Sequence, residues 1–252
     1  MMNFIIKAKD NKYVYLSVGS IVIVLAWILT SNFVNNEIIL PKLPAIFQAL
    51  FAIFTKQSNL IIIVNTITRL LLSAGIAFLI GMILLILMIL KNEIIYLFKP
   101  LITILKTVPV ASIIIVLLIW FGSGKSPLII TTLVILPIMI ESFATGYKNI
   151  DRSTIEELKM VGSNNLYAIF KVYIPMIRPF IFMGLIQSMG LGIKVMVMAE
   201  LISQTRYSIG NQIYLQKINL NMASLFAWTF VLVIIVVIIE LFINHIKKKM
   251  LV

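Results

Sequence analysis

Apolar residues in this chain come as continuous runs rather than as a periodic stripe. Six runs stand out: about 13–33, 60–90, 100–121, 127–145, 176–200 and 223–243. A helix needs about 20 consecutive apolar residues to cross a bilayer. Lipid offers no partner to backbone N–H and C=O groups, so such runs are helical. The pattern predicts an all-α integral membrane protein with about six transmembrane helices. The first run competes with a signal peptide, whose apolar core is about 7–15 residues long and ends at a small-residue cleavage site. Here the run is longer and ends in Thr30-Ser31-Asn32-Phe33, so it reads as an uncleaved first span.

The segments between the runs carry the remaining signals. Pro44 can start a short helix through Phe54, with Ile46, Leu50 and Ile53 on one face, as expected of a helix lying on the bilayer surface. Ser73, Ala77 and Gly81 are four apart, a spacing that lets a second helix approach closely. Pro109 interrupts the third run and predicts a kink there. Gly122-Ser123-Gly124-Lys125-Ser126 has the ending of a phosphate-binding P-loop, but the required earlier glycine position is Ile119. The stretch is read as a tight external turn, and no ATP hydrolysis is expected of this chain. Leu201 to Met222 is expected to be an external loop.

Glu156 to Pro175 is the one long central stretch that mixes charge with apolar residues. Asp151 or Ser153 can cap a helix there, and Ser153 with Glu156 has capping-box spacing. Ile155, Leu158 and Val161 place an apolar stripe on that helix. Gly162 suits a helix stop. A second short helix, about 164–173, is expected to run up to Pro175.

Composition agrees with the membrane reading. The 252 residues are 61% hydrophobic and 12% charged, against about 45–50% and 25% in soluble domains. The net charge of +12 would suggest nucleic acid in a soluble protein; beside membrane spans it marks cytoplasmic anchoring, and no nucleic-acid partner is expected. Six spans put both termini and the 147–178 segment on one side. That side holds Lys7, Lys9, Lys12, Lys91, Lys99, Lys148, Arg152, Lys159, Lys171, Arg178, Lys247, Lys248 and Lys249; the other holds Lys42, Lys56, Lys125, Arg206 and Lys217. The positive-inside rule makes the richer side cytoplasmic. There is no cysteine, and the lone His245 lies near the C-terminus, so disulfides, thiolate chemistry and a metal site are not expected. Ionisable and amide groups within apolar runs usually face a cavity. Asn65, Lys106, Lys194 and Glu200 are therefore candidates for a translocation path, with snorkelling to the interface as the alternative for Glu200 and Glu141; Arg69, about two turns inside its run, either snorkels outward or pairs with an acid.

Glu156, Gly162 six residues on, then nine residues and Val172-Tyr173-Ile174-Pro175 resemble the EAA loop of ATP-binding-cassette importer permeases, whose pattern is E-A-A, three residues, G, nine residues, I-x-L-P. Leu40–Leu50 (LPKLPAIFQAL), the Trp120-Phe121-Gly122-Ser123-Gly124 turn and Thr205–Ile213 (TRYSIGNQI) resemble segments of its nitrate/sulfonate/taurine-type branch. The resemblance implies one transmembrane permease domain over 1–252 of the type I importer kind, with a coupling loop at 147–175. It implies Glu156, Glu157, Leu158, Gly162, Ile174 and Pro175 as ATPase-coupling residues. Its partners would be a second permease subunit as a homodimer, two cytoplasmic ATPase subunits that bind ATP and Mg, an extracytoplasmic solute-binding protein and membrane lipid. This chain would hold no cofactor and would sit in a bacterial cell membrane. The solute would be small and polar or anionic, of the sulfonate, taurine, nitrate or pyrimidine-precursor type. Glu157 and Leu158 stand where the motif has alanines, implying a differently shaped groove on the cognate ATPase. The residues alone leave open an ion-coupled transporter or a non-transporting scaffold or sensor subunit.

Overall fold

In a computed structural model, which describes residues 12–91, 93–160 and 166–251, the described chain is helical almost throughout. The helices are α1 (Lys12–Val34), α2 (Leu43–Thr55), α3 (Gln57–Leu90), α4 (Ile94–Thr107), α5 (Val110–Lys148), α6 (Arg152–Met160), α7 (Leu166–Ser203), α8 (Ile209–Ile218) and α9 (Met222–Leu251). Among the described residues five helices are long and apolar enough to cross a membrane: α1, α3, α5, α7 and α9.

The difference from six expected spans has a physical cause at Gly122. This residue sits inside α5 with φ 72 and ψ 173, a conformation open to glycine and costly for other residues. The chain folds back there. Lys106 and Glu141 are 35 residues apart, which in an unbroken straight helix would mean about 50 Å. Their side chains instead meet at 2.8 Å. Ile114 and Leu117 before the turn also pack in one cluster with Ile130 after it. The stretch thus forms a hairpin whose outgoing limb is α4 plus the first part of α5.

That outgoing limb is broken, not merely kinked. α4 starts at Ile94, ahead of the expected Pro100, and ends at Thr107; Val108 and Pro109 are extended before α5 begins. Proline lacks the N–H that would continue the helix, and it disfavours helical backbone in the residue before it. The expected external turn is also shorter than predicted. Gly122 alone leaves the helix, while Ser126 and Pro127 are already buried in it.

The core forms where the returning limb of α5 crosses α7, with α3 and α9 packed alongside. Small residues set the spacing. A Cβ on Gly146 would lie 2.8 Å from the Phe180 Cβ, and one on Gly184 would lie 2.8 Å from the Ser142 Cβ. Side chains at either place would force the helices apart. Ser73 and Ala77 are fully buried, and a Cβ on Gly81 would press on the Phe143 ring at 3.1 Å. The four-residue small stripe does therefore mark a packing face. Phe143, Met139, Ile135, Ile177 and Met196 fill the centre.

Two peripheral elements differ from the sequence expectation. The Ile46, Leu50 and Ile53 face of α2 packs inward against the protein, with Ile46 2% and Ile53 4% exposed. It is Phe47, Phe51 and Phe54 that face outward. α2 therefore packs on α9, and α1 is tied to the same corner by the Trp27 ring edge-on to Phe226 at 5.1 Å and by the Trp27 indole N–H donating to the Pro41 carbonyl at 3.2 Å. Most of α1 remains apolar and exposed.

Candidate functional site

Three groups of residues carry the chemistry, and they lie at different levels of the bundle.

The first is a buried charge cluster at the end of α7. Glu200 is fully buried, and a charged side chain in such a place costs several kcal/mol unless paired and hydrogen-bonded. Here it is both. Arg69 Nη1 of α3 donates to Oε1 at 3.1 Å, the Thr66 hydroxyl donates at 3.0 Å, and the Gly210 N–H of α8 donates to Oε2 at 3.2 Å. Thr66 accepts in turn from the Ile209 N–H at 3.0 Å. Asn65 donates to the Tyr207 carbonyl at 3.3 Å and Arg69 Nη2 to the Arg206 carbonyl at 3.5 Å. The cluster thus ties α3 and α7 to the turn that precedes α8. That turn holds Gln204 at φ 49 and Tyr207 at φ 53, left-handed conformations uncommon for residues with side chains. Thr205 reaches across to the Ser123 carbonyl at 2.6 Å, pinning the turn to the Gly122 reversal. Gly210 has no room for a side chain, since a Cβ would stand 2.5 Å from both the Glu200 Cβ and the Val197 carbonyl oxygen.

These contacts bear on three expectations. Glu200 does not snorkel and does not face a path; its own partners enclose it. Of the two readings of Arg69, pairing with an acid holds and snorkelling does not. The supposed external loop 201–222 contains α8, fastened to the bundle through buried polar groups. The sequence signal existed: Arg69 and Glu200 are opposite charges at the ends of two apolar runs. Their partnership needed a topology that brings the outer ends of α3 and α7 together.

The second group is a polar face. Lys106 Nζ donates to both Glu141 carboxylate oxygens, at 2.8 and 2.9 Å, and both side chains are about half exposed. They border a hollow of about 370 Å³ that also touches Ser142, Met183 and Gln187. Gln187 and Lys194 are seven residues apart on α7, hence on the same side of the helix and about 10 Å apart along its axis. Both are exposed, as are Leu191 and Met198 on that stripe, although α7 is otherwise the most buried of the long helices. Among the described residues no carboxylate lies within 4.0 Å of Lys194. Of the four residues expected to share a path, the structure thus brings Lys106 and Lys194 to exposed positions, places Glu200 in the separate buried cluster and leaves Asn65 half-buried at that cluster's edge. Glu141 belongs with Lys106, a pairing that the sequence pattern did not suggest.

The third group is α6 and the entry into α7. Because α6 begins at Arg152, Asp151 stands at its cap and Ser153 lies inside it. Glu156 does not complete a box with Ser153; its carboxylate faces Arg152 Nε at 3.7 Å, one turn back. Ile155 and Leu158 turn toward the protein and pack on its core. Glu156, Glu157 and Met160 point away, Met160 being 85% exposed. Of the two residues at the motif's alanine positions, therefore, Glu157 is on the outward side and Leu158 is not. Val161 and Gly162 lie outside the described residues. The expected second short helix is instead the start of α7, which runs unbroken from Leu166. Ile169 and Tyr173 are buried against the core, and Ile174 packs on it. Residues Ile169–Tyr173 form a wider, π-type turn. Pro175 lacks an N–H, so the Lys171 carbonyl four residues earlier loses its usual partner, and the widened turn around Lys171 accommodates the mismatch. Pro175 thus lies within the entry of a membrane helix and does not end a separate one.

Several long apolar helices, a broken hairpin span, a polar face along the most buried helix and an exposed amphipathic helix between spans define a multi-pass membrane protein. Residues 77–252 match the family described as binding-protein-dependent transport system inner membrane component, and the chain belongs to that family. It is 28% identical over 197 residues to a protein of Methanocaldococcus jannaschii named as a putative ABC transporter permease protein, covering 74% of this chain and 72% of that one. It is 25% identical over 205 residues to the taurine transport system permease protein TauC of Escherichia coli, covering 78% and 74%. A glycine betaine/carnitine transport permease protein of Listeria monocytogenes is 25% identical over 186 residues, 73% of this chain and 65% of that one. In fold, the chain superposes on the inward-facing MetNI methionine ABC transporter with a TM-score of 0.67 at 15% identity, covering 73% of this chain and 92% of the other. The protein is a permease subunit of an ABC importer, a transport component and not an enzyme; ATP hydrolysis belongs to a separate subunit. Among the described residues no cluster of His, Cys, Asp or Glu could hold a metal ion.

Proposed function

We propose that this subunit forms half of a translocation path for a small polar or anionic organic solute and is driven through α6. Two copies face each other across the polar surface of α7; two cytoplasmic ATPase subunits, which bind ATP and Mg, engage α6; an external binding protein delivers the solute at the α8 end. The observation that carries this reading is Lys194, an exposed cation on the otherwise buried α7 with no carboxylate partner among the described residues. A lone charge facing hydrocarbon is costly, whereas one facing a wet path is not. A relative named for taurine supports a solute of the sulfonate type, and one named for glycine betaine and carnitine supports a small charged organic solute more broadly.

Lys194→Met tests it. Uptake by the reconstituted importer should fall about tenfold or more while the purified complex keeps its thermal stability. Unchanged uptake would return Lys194 to the lipid interface.

The lysine distribution supports placing both termini and α6 in the cytoplasm. Lys125 and Ser153 are both exposed, and the chain has no cysteine. In intact cells an impermeant thiol reagent should label Lys125→Cys and leave Ser153→Cys untouched. The reverse pattern would invert the topology.

A further inference from the structure

We propose a binding site for an anionic phospholipid in the groove between α4 and the returning limb of α5, at the α6 end of the bundle. This inference needs only the membrane-spanning fold and not the coupling role of α6.

α4 is loosely held. It buries Ile102, is fastened by the Lys106–Glu141 pair, and turns Tyr96, Leu97, Leu101 and Ile104 outward. Between it and α5 lies a hollow of about 320 Å³. Lys99, Lys148 and Tyr96 stand at one end of it, and Ile102, Ile140 and Ala144 form its apolar wall. An adjoining hollow of about 430 Å³ shares Tyr96 and Lys148 and reaches Arg152 of α6.

The charge balance favours an anion. Glu141 also borders the first hollow but is matched by Lys106 at 2.8 Å, and Glu156 borders the second but faces Arg152 at 3.7 Å. Lys99 and Lys148 have no carboxylate within 4.0 Å among the described residues. Two unmatched ammonium groups and a phenol hydroxyl can hold one phosphodiester.

The surroundings favour a lipid over a free phosphate. Lys148 closes the returning limb of α5, and Lys99 lies in the first half of α4, so the cations sit where apolar helix meets water. Basic pockets between spans at that level suit anionic headgroups. The apolar wall and the outward Leu97, Leu101 and Ile104 offer an acyl chain a surface; a soluble phosphate would gain nothing from them.

The test is native mass spectrometry and lipid titration of the purified chain in nanodiscs or detergent with phosphatidylglycerol, phosphatidylcholine or free glycerol phosphate. Wild type should retain phosphatidylglycerol in preference to phosphatidylcholine, and millimolar glycerol phosphate should not displace it. The K99A/K148A double variant should lose fivefold or more of its phosphatidylglycerol affinity, whereas K42A, at the opposite end, should lose none. A circular-dichroism melt establishes that the double variant is folded, and the single variants K99A and K148A, each with a partial loss, serve if it is not. Equal retention of both lipids, full retention by the variants, or displacement by glycerol phosphate would overturn the lipid site.

Discussion

Glu200→Gln should be the most damaging conservative change in the outer half of this protein. Glutamine keeps the size of the side chain but replaces one acceptor oxygen with an NH2 group. That group would face either the Gly210 N–H or Arg69, both of which now donate to the carboxylate. One donor must then go unpaired, and the Arg69 charge loses its counter-ion. Removing one partner of a buried pair costs about 3–5 kcal/mol. Arg69 is 22% exposed, so part of its charge finds water and the lower end of that range applies. The consequence is local before it is global, because Glu200 and Thr66 together hold the first two N–H groups of α8. Thermal melting of the purified chain should shift down by several degrees. Proteolysis within residues 204–212 should become faster than in wild type. An unchanged melt and an unchanged cleavage pattern would show that the clasp contributes little.

Met160→Asp and Gly162→Asp should leave a folded, membrane-inserted permease that no longer holds its ATPase. Met160 is 85% exposed on a short polar helix whose apolar stripe already faces inward. Its own fold gains almost nothing from that side chain, so Asp there should leave the melt intact. A partner groove that buries the methionine would gain about 1.5–3 kcal/mol, and an aspartate in the same groove would be a buried charge without a counter-ion. Loss of affinity for the ATPase of a hundredfold or more is expected. At Gly162 the expectation comes from the sequence. If the turn there needs positive φ, any side chain costs about 1 kcal/mol or more, and bulk adds a clash with the groove. Co-purification of the ATPase with each variant is the readout; normal binding by both would remove α6 as the docking element.

The spans were legible in the sequence because lipid imposes the simplest pattern there is, a continuous apolar run. Their boundaries were less so. Pro100 and Pro127 looked like starts and Pro175 like a stop, yet each lies inside a longer helical stretch. Proline is compatible with the first turn of a helix and, in lipid, with its interior where neighbours satisfy the freed carbonyl. Gly122 was readable as a turn, but not as a reversal one residue wide. The candidate site divided the same way. Lys106 and Lys194 stood out as charges deep in apolar runs, and both prove exposed. Glu200 stood out for the same reason and proves to be an internal tie, because hydropathy is blind to a partner 131 residues away. The inward turn of Leu158 was legible in the Ile155, Leu158 and Val161 stripe, and it is the motif match, which counts Leu158 among the coupling residues, that does not contain it.

Coupled transport is measured most directly by reconstituting the chain with its ATPase and binding protein in liposomes and following solute uptake and ATP hydrolysis together. Uptake is expected only when ATP is on the α6 side and the binding protein is on the α8 side, with both activities lost in Met160→Asp. Solute accumulation driven by an ion gradient without ATP, or full ATP-driven uptake by that variant, would contradict a permease driven through α6.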